Sequence, residues 1–158
     1  MHGNGGEIME DLFRKFKEES MTKEEKLTFL DELYWVDWDE LEKVISLESV
    51  FAFLESEDLS IEEVSLVLKL YNNPGGDYVK EFSNIIANIY LRDKVEFIRA
   101  LNLEKDEISN LVYLFRNDRI FENENDELKE ILSKGILVEE EEDTAKRFFK
   151  TYETVCST

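Results

Sequence analysis

The chain has 158 residues, 42% apolar and 36% charged, with 38 acids against 19 bases for a net charge of −19. That length predicts one domain, and two Trp, six Tyr and eleven Phe supply the bulk for a core that a disordered polar chain lacks. One Pro and six Gly are too few for the many turns of an all-β fold, and the acid excess opposes direct binding to nucleic acid or an anionic membrane, both of which demand Lys and Arg.

Met1–Gly6 reads as a flexible N-terminus, with one all-α domain over 7–158. Apolar residues then recur at helical spacing almost throughout. The spacing predicts a first helix over 7–19, with Leu12, Phe13 and Phe16 on one face. Thr22-Lys23-Glu24-Glu25 is a capping box, in which the Thr oxygen accepts the N3 amide and the Glu reaches back; it opens a helix over 23–34. Asp37 is the expected N-cap of a third helix at 38–46, and a fourth follows at 47–55. Ser60-Ile61-Glu62-Glu63 repeats the capping box and opens 61–72, which the turn Asn72–Asp77 ends. Helices are expected at 78–91, 93–102 and 105–117, then after a polar loop (Asn117–Asn125) at 126–134, closed by Gly135 at C′. Ile136-Leu137-Val138 is the one strand-like run and, with no partner, reads as a packed loop. Asp143 or Thr144 is expected to cap a last helix reaching about residue 155. The expected fold is all-α, about ten short helices.

The apolar pattern repeats. At a shift of 47 residues Val50, Phe51 and Leu54 fall on Phe97, Ile98 and Leu101, and Ile61, Val64, Val67 and Leu68 fall on Ile108, Leu111, Leu114 and Phe115. One deletion later, Phe82, Ile85 and Ile86 fall on Leu128, Ile131 and Leu132. Possible units are 7–46, 47–91 and 93–134, followed by a C-terminal helix at 144–155. A three-helix period near 46 resembles an armadillo or HEAT-type repeat, although the glycine between the first two armadillo helices is missing. The resemblance implies an α-solenoid-like domain. The alternative is an irregular helical bundle, because amphipathic helices align with themselves whenever their phases coincide.

Catalytic equipment is sparse. The only histidine, His2, lies in the N-terminal tail, and the only cysteine, Cys156, is the third residue from the C-terminal end of the sequence. This excludes Cys/His zinc sites within one chain and leaves no base for a Ser-His-Asp or Cys-His arrangement. A lone cysteine suits a reducing compartment, and no signal peptide or apolar run of membrane-spanning length is seen, so the expected location is cytoplasmic. The glycine runs Gly3–Gly6 and Asn73–Gly76 are not followed by the Lys-Ser/Thr of a phosphate loop. Asp37-Trp38-Asp39 begins like a calcium loop, but Glu42 stands where glycine is needed. No cofactor or metal is expected.

The acids are concentrated. Residues 37–68 carry ten acids and one base, whereas residues 92–119 carry six of each. Such a zone speeds encounter with a basic partner, although a solvated surface and favourable first-turn positions explain part of it. The aromatic run Tyr34-Trp35-Val36-Asp37-Trp38 beside it supplies a contact residue if a ring is exposed, and a core residue otherwise. The candidate binding residues are Asp37, Trp38, Asp39, Glu55, Glu57, Asp58 and Glu62. The favoured expectation is a non-catalytic module that binds a basic protein or peptide. The alternatives are a nucleic-acid-mimicking inhibitor or immunity protein that blocks a basic site, and a carboxylate- and Mg²⁺-dependent enzyme.

Overall fold

A computed structural model describes residues 11–18, 20–70 and 78–156. Among these residues every regular element is a helix: α1 at 11–17, α2 Lys23–Asp31, α3 Trp35–Glu42, α4 Leu47–Leu54, α5 Ile61–Lys69, α6 Val79–Arg92, α7 Lys94–Leu103, α8 Ile108–Asp118, α9 Glu124–Ser133 and α10 Glu139–Cys156. The expected N-terminal tail, the start of the first helix and the Asn72–Asp77 turn lie outside the described residues.

Both capping boxes form as read. Thr22 Oγ1 accepts the Glu25 N–H at 3.1 Å and Glu25 accepts the Thr22 N–H at 2.9 Å. Ser60 and Glu63 make the same exchange at 3.1 and 2.8 Å. Each pair satisfies two of the N–H groups a helix start leaves without partners, so the sequence sets these boundaries locally.

Other boundaries move, each for a reason visible in the caps. Helix α3 starts at Trp35, so Asp37 is not the N-cap; it sits at N3, where its carboxylate accepts the Tyr34 N–H at 2.9 Å. The same helix ends at Glu42, because Ser46 turns extended to precede α4. Helix α9 begins at Glu124, two residues early, since Asn123 accepts the Asp126 N–H at 3.0 Å. Helix α10 begins at Glu139, well before Asp143 or Thr144. The acidic run is its first turn, where negative charge meets the positive end of the macrodipole, and Glu141 reaches back to the Val138 N–H at 2.9 Å. Thr144 is buried instead and donates to Asn102 at 2.7 Å. Gly135 adopts φ +65°, as its C′ position requires. Of Ile136, Leu137 and Val138, only Leu137 packs on the core.

Buried side chains from Phe13 to Tyr152 form one contiguous cluster. Burying a Leu or Phe completely contributes roughly 1.5–3 kcal/mol, so this cluster is the main source of stability. Helix α5 packs on α2 and α7, and α4 packs on α6. Helix α7 lies against α5 and α6, and α10 lies against α8 and α9 and also against α7. Polar bridges from helices to other helices or to loops span 33 residues for Asn88 to Glu55, 35 for Lys23 to the Asp58 carbonyl, 37 for Arg99 to the Ile136 carbonyl and 42 for Thr144 to Asn102.

Candidate functional site

The seven sequence candidates divide by what holds them. Trp38 is wholly buried and cannot be a contact residue, which corrects its place among the candidates. Its ring centroid lies 6.5 Å from Phe51, 6.4 Å from Tyr78 and 6.3 Å from Phe82. The starting point of α3 turns this side of the helix inward; Tyr34 and Val36 face solvent instead. Its indole N–H has no acceptor among the described residues.

Asp37 is half-buried and committed to the Tyr34 amide. Asp39 shares the Tyr78 hydroxyl with Glu42, at 2.8 and 2.9 Å. A phenol has one proton, so it donates to one of these carboxylates at a time. Burial, reinforced by hydrogen bonds to Asp39 and Glu42, pushes the Tyr78 phenol well above its usual value. Glu55 accepts Asn88 Nδ2 at 2.8 Å, and its carbonyl accepts Arg92 Nη1 at 2.6 Å.

Glu57, Asp58 and Glu62 are exposed, and among the described residues their carboxylates meet neither cation nor hydrogen-bond donor. Lys23, the base near Asp58, donates at 3.1 Å to its backbone carbonyl rather than its carboxylate. The fold also separates Glu57 from Glu62. Glu57 borders a cleft of about 280 Å³ with Leu59, Val64, Ile89, Arg92, Asp93, Glu96 and Phe97. Glu62 borders another, of about 450 Å³, with Glu24, Ser60, Glu63, Ser65, Leu66 and Leu103. Glu24 and Glu96 therefore join the acidic surface without having been singled out in the sequence. Glu96 lies in the stretch where acids and bases balance, so counting along the chain cancels it; only folding brings it beside Glu57.

The C-terminal half treats its acids differently. Lys94 bridges Glu127 at 3.0 Å and Glu130 at 2.6 Å, while the buried Tyr90 donates its hydroxyl to Glu127 at 2.6 Å. Burial and then the Glu127 bond raise the Tyr90 phenol far above its usual value. Burial alone would lower the Lys94 ammonium, but the Glu130 and Glu127 carboxylates outweigh it and hold it above the ordinary lysine value. Lys105 meets Glu140 at 2.6 Å, Arg99 meets Glu141 at 3.5 Å and Lys69 meets Glu104 at 3.6 Å. The partners hold Glu130 and Glu140 below the usual carboxylate range.

Among the described residues no three acids, Cys or His converge as a metal-ligand set, and no helix is long and apolar enough to cross a membrane. Comparison with protein-family models, curated proteins and solved structures finds no match for this chain.

Proposed function

We propose that this protein is a non-catalytic interaction module whose acidic surface binds a basic protein or peptide. The observation that carries this reading is the unequal fate of the carboxylates. Glu57, Asp58 and Glu62 are exposed without a counter-charge among the described residues, while Lys69, Lys94, Arg99 and Lys105 are occupied by acids of their own chain. Exposed like charges in the α4–α5 loop and at the start of α5 add repulsion rather than stability, and raise the local concentration of cations. A basic partner relieves the first and exploits the second.

A helical-repeat arrangement suits this role, because stacked helices present extended surfaces. It is supported by the recurring neighbours, α7 on α5 and α6 and α10 on α8 and α9. In this scheme α10 begins a further unit as α7 does, and the cytoplasm is where it acts.

The test is charge reversal. The triple variant Glu57→Lys, Asp58→Lys and Glu62→Lys is expected to fold as well as the parent and to lose basic proteins that the parent captures at low salt and releases at high salt. Retention of every interaction by a folded triple variant sinks the reading. Competition by DNA for a captured partner is the outcome that points to nucleic-acid mimicry.

A further inference from the structure

Resting on the basic-partner reading, we propose that the cleft between the α4–α5 loop and the α6–α7 junction receives one cationic side chain, Lys or Arg, from the partner. Its floor is apolar and already desolvated: Leu59, Val64 and Ile89 are 8%, 5% and 4% exposed. Its rim carries Glu57 and Glu96, both exposed and both without a cation on their carboxylates among the described residues. A long cationic side chain needs both parts, a dry surface for its methylenes and carboxylates for its head.

The chain supplies its own template. Lys94 lies with its ammonium 5.7 Å from the Tyr90 ring centroid and bridges Glu127 and Glu130. The cleft at Glu57 and Glu96 presents the paired carboxylates over a mainly aliphatic floor in place of the tyrosine ring, without an internal lysine. Its one base, Arg92, donates at 2.6 Å to the Glu55 carbonyl, which directs the guanidinium to backbone rather than to either rim acid. Asp93 is half-committed, since it caps α7 by accepting the Glu96 N–H at 3.0 Å.

The local charge favours a cation. Three carboxylates against one guanidinium leave two negative charges. The N-terminus of α7 opposes them with about half a positive charge, which does not reverse the sign. Size points to a side chain as well. A volume of about 280 Å³ lies just under the roughly 300–1,000 Å³ range of pockets that enclose whole small ligands.

The experiment is an NMR titration of the full chain at low salt with a nine-residue peptide of alternating lysine and alanine. Arginine–alanine and norleucine–alanine peptides serve as further arms. The Val64 and Ile89 methyl resonances are expected to shift with the cationic peptides and not with norleucine. The double variant Glu57→Gln/Glu96→Gln is expected to weaken cationic binding roughly fivefold. Glu122→Gln/Glu153→Gln removes the same charge outside the acidic zone and is expected to change it little. Cationic binding that leaves the Val64 and Ile89 methyls unmoved and treats the two double variants alike overturns the cleft while the basic-partner reading stands. So does equal binding of the norleucine peptide. No cationic binding at low salt overturns both.

Discussion

The two halves of the molecule share one core but handle charge and aromatic packing in opposite ways. In the C-terminal half, Phe115 meets Tyr90 at 5.2 Å, Phe148 at 5.3 Å, Phe97 at 5.4 Å and Phe121 at 6.2 Å, and ion pairs join the helices above these rings. In the N-terminal half the rings fall into smaller groups. Phe16 packs with Phe29 and Phe53, while Trp38 packs with Phe51, Tyr78 and Phe82. The acids there pair with a lysine three or four residues away, as Asp11 with Lys15 and Glu40 with Lys43, take neutral donors such as Tyr78 and Asn88, or have no partner among the described residues. The contrast separates two uses of a carboxylate, one that ties helices together and one that is left available.

Truncation of the central rings tests this contrast most severely. Phe115→Ala is expected to cost about 3–5 kcal/mol in denaturant unfolding, as deletion of a fully buried ring does. Phe53→Ala, at a partly exposed ring, is expected to cost under about 2 kcal/mol. Equal costs would erase the distinction between the halves.

The same deletion on two tyrosines sharpens it. Tyr90→Phe removes a buried hydroxyl bonded to a carboxylate, so a loss of about 1.5–3 kcal/mol is expected. Tyr78→Phe removes one donor from two competing acceptors at the surface, and a change within about 0.5 kcal/mol is expected. Chemical denaturation of both variants checks the difference.

Alkaline pH gives the next effect. Both phenols are raised in the folded state, so their contribution is complete below the unfolded tyrosine value and is lost as pH rises above it. Stability is expected to begin falling near pH 10, the ordinary tyrosine value, with a shallower fall in Tyr90→Phe. A pH series of unfolding midpoints with an unchanged slope in that variant contradicts the assignment.

Salt gives the smallest effect and the one that best separates the halves. Screening relieves repulsion among the unpaired acids and weakens exposed ion pairs. Hydrogen exchange in α4 and α5 is expected to slow on going from low to high salt, and exchange in α9 and the start of α10 to quicken slightly. A uniform response is the outcome that counts against two regimes of charge.

The all-α fold was legible because each helix buries an apolar stripe at the spacing that the residues show. Val64, Val67 and Leu68 are buried on α5, as are Phe82, Ile85, Ile86 and Ile89 on α6. The capping boxes at Thr22 and Ser60 were legible because their hydrogen bonds are local. The start of α3 was not, since Asp37 serves N3 without a Ser or Thr at the cap. The start of α10 was hidden because the acids Glu139–Asp143 read as a loop plus a first turn, whereas Glu139 to Glu142 already form the first turn. Of the candidate residues, Glu57, Asp58 and Glu62 are exposed, as acids on polar faces lead one to expect, while Trp38 is core, and only tertiary packing relates Glu96 to Glu57.

The span of the polar bridges, 33 residues for Asn88 to Glu55 and 42 for Thr144 to Asn102, bears on how the chain is made. A ribosome adds some 5–20 residues each second, so about 40 residues take roughly 2–8 s, whereas a helix forms within about a microsecond. Each newly emerged helix therefore meets its bonding partners only a short stretch of translation after they appear. These bridges form without waiting for distant parts of the polypeptide, and docking can proceed in step with synthesis from the amino-terminal side.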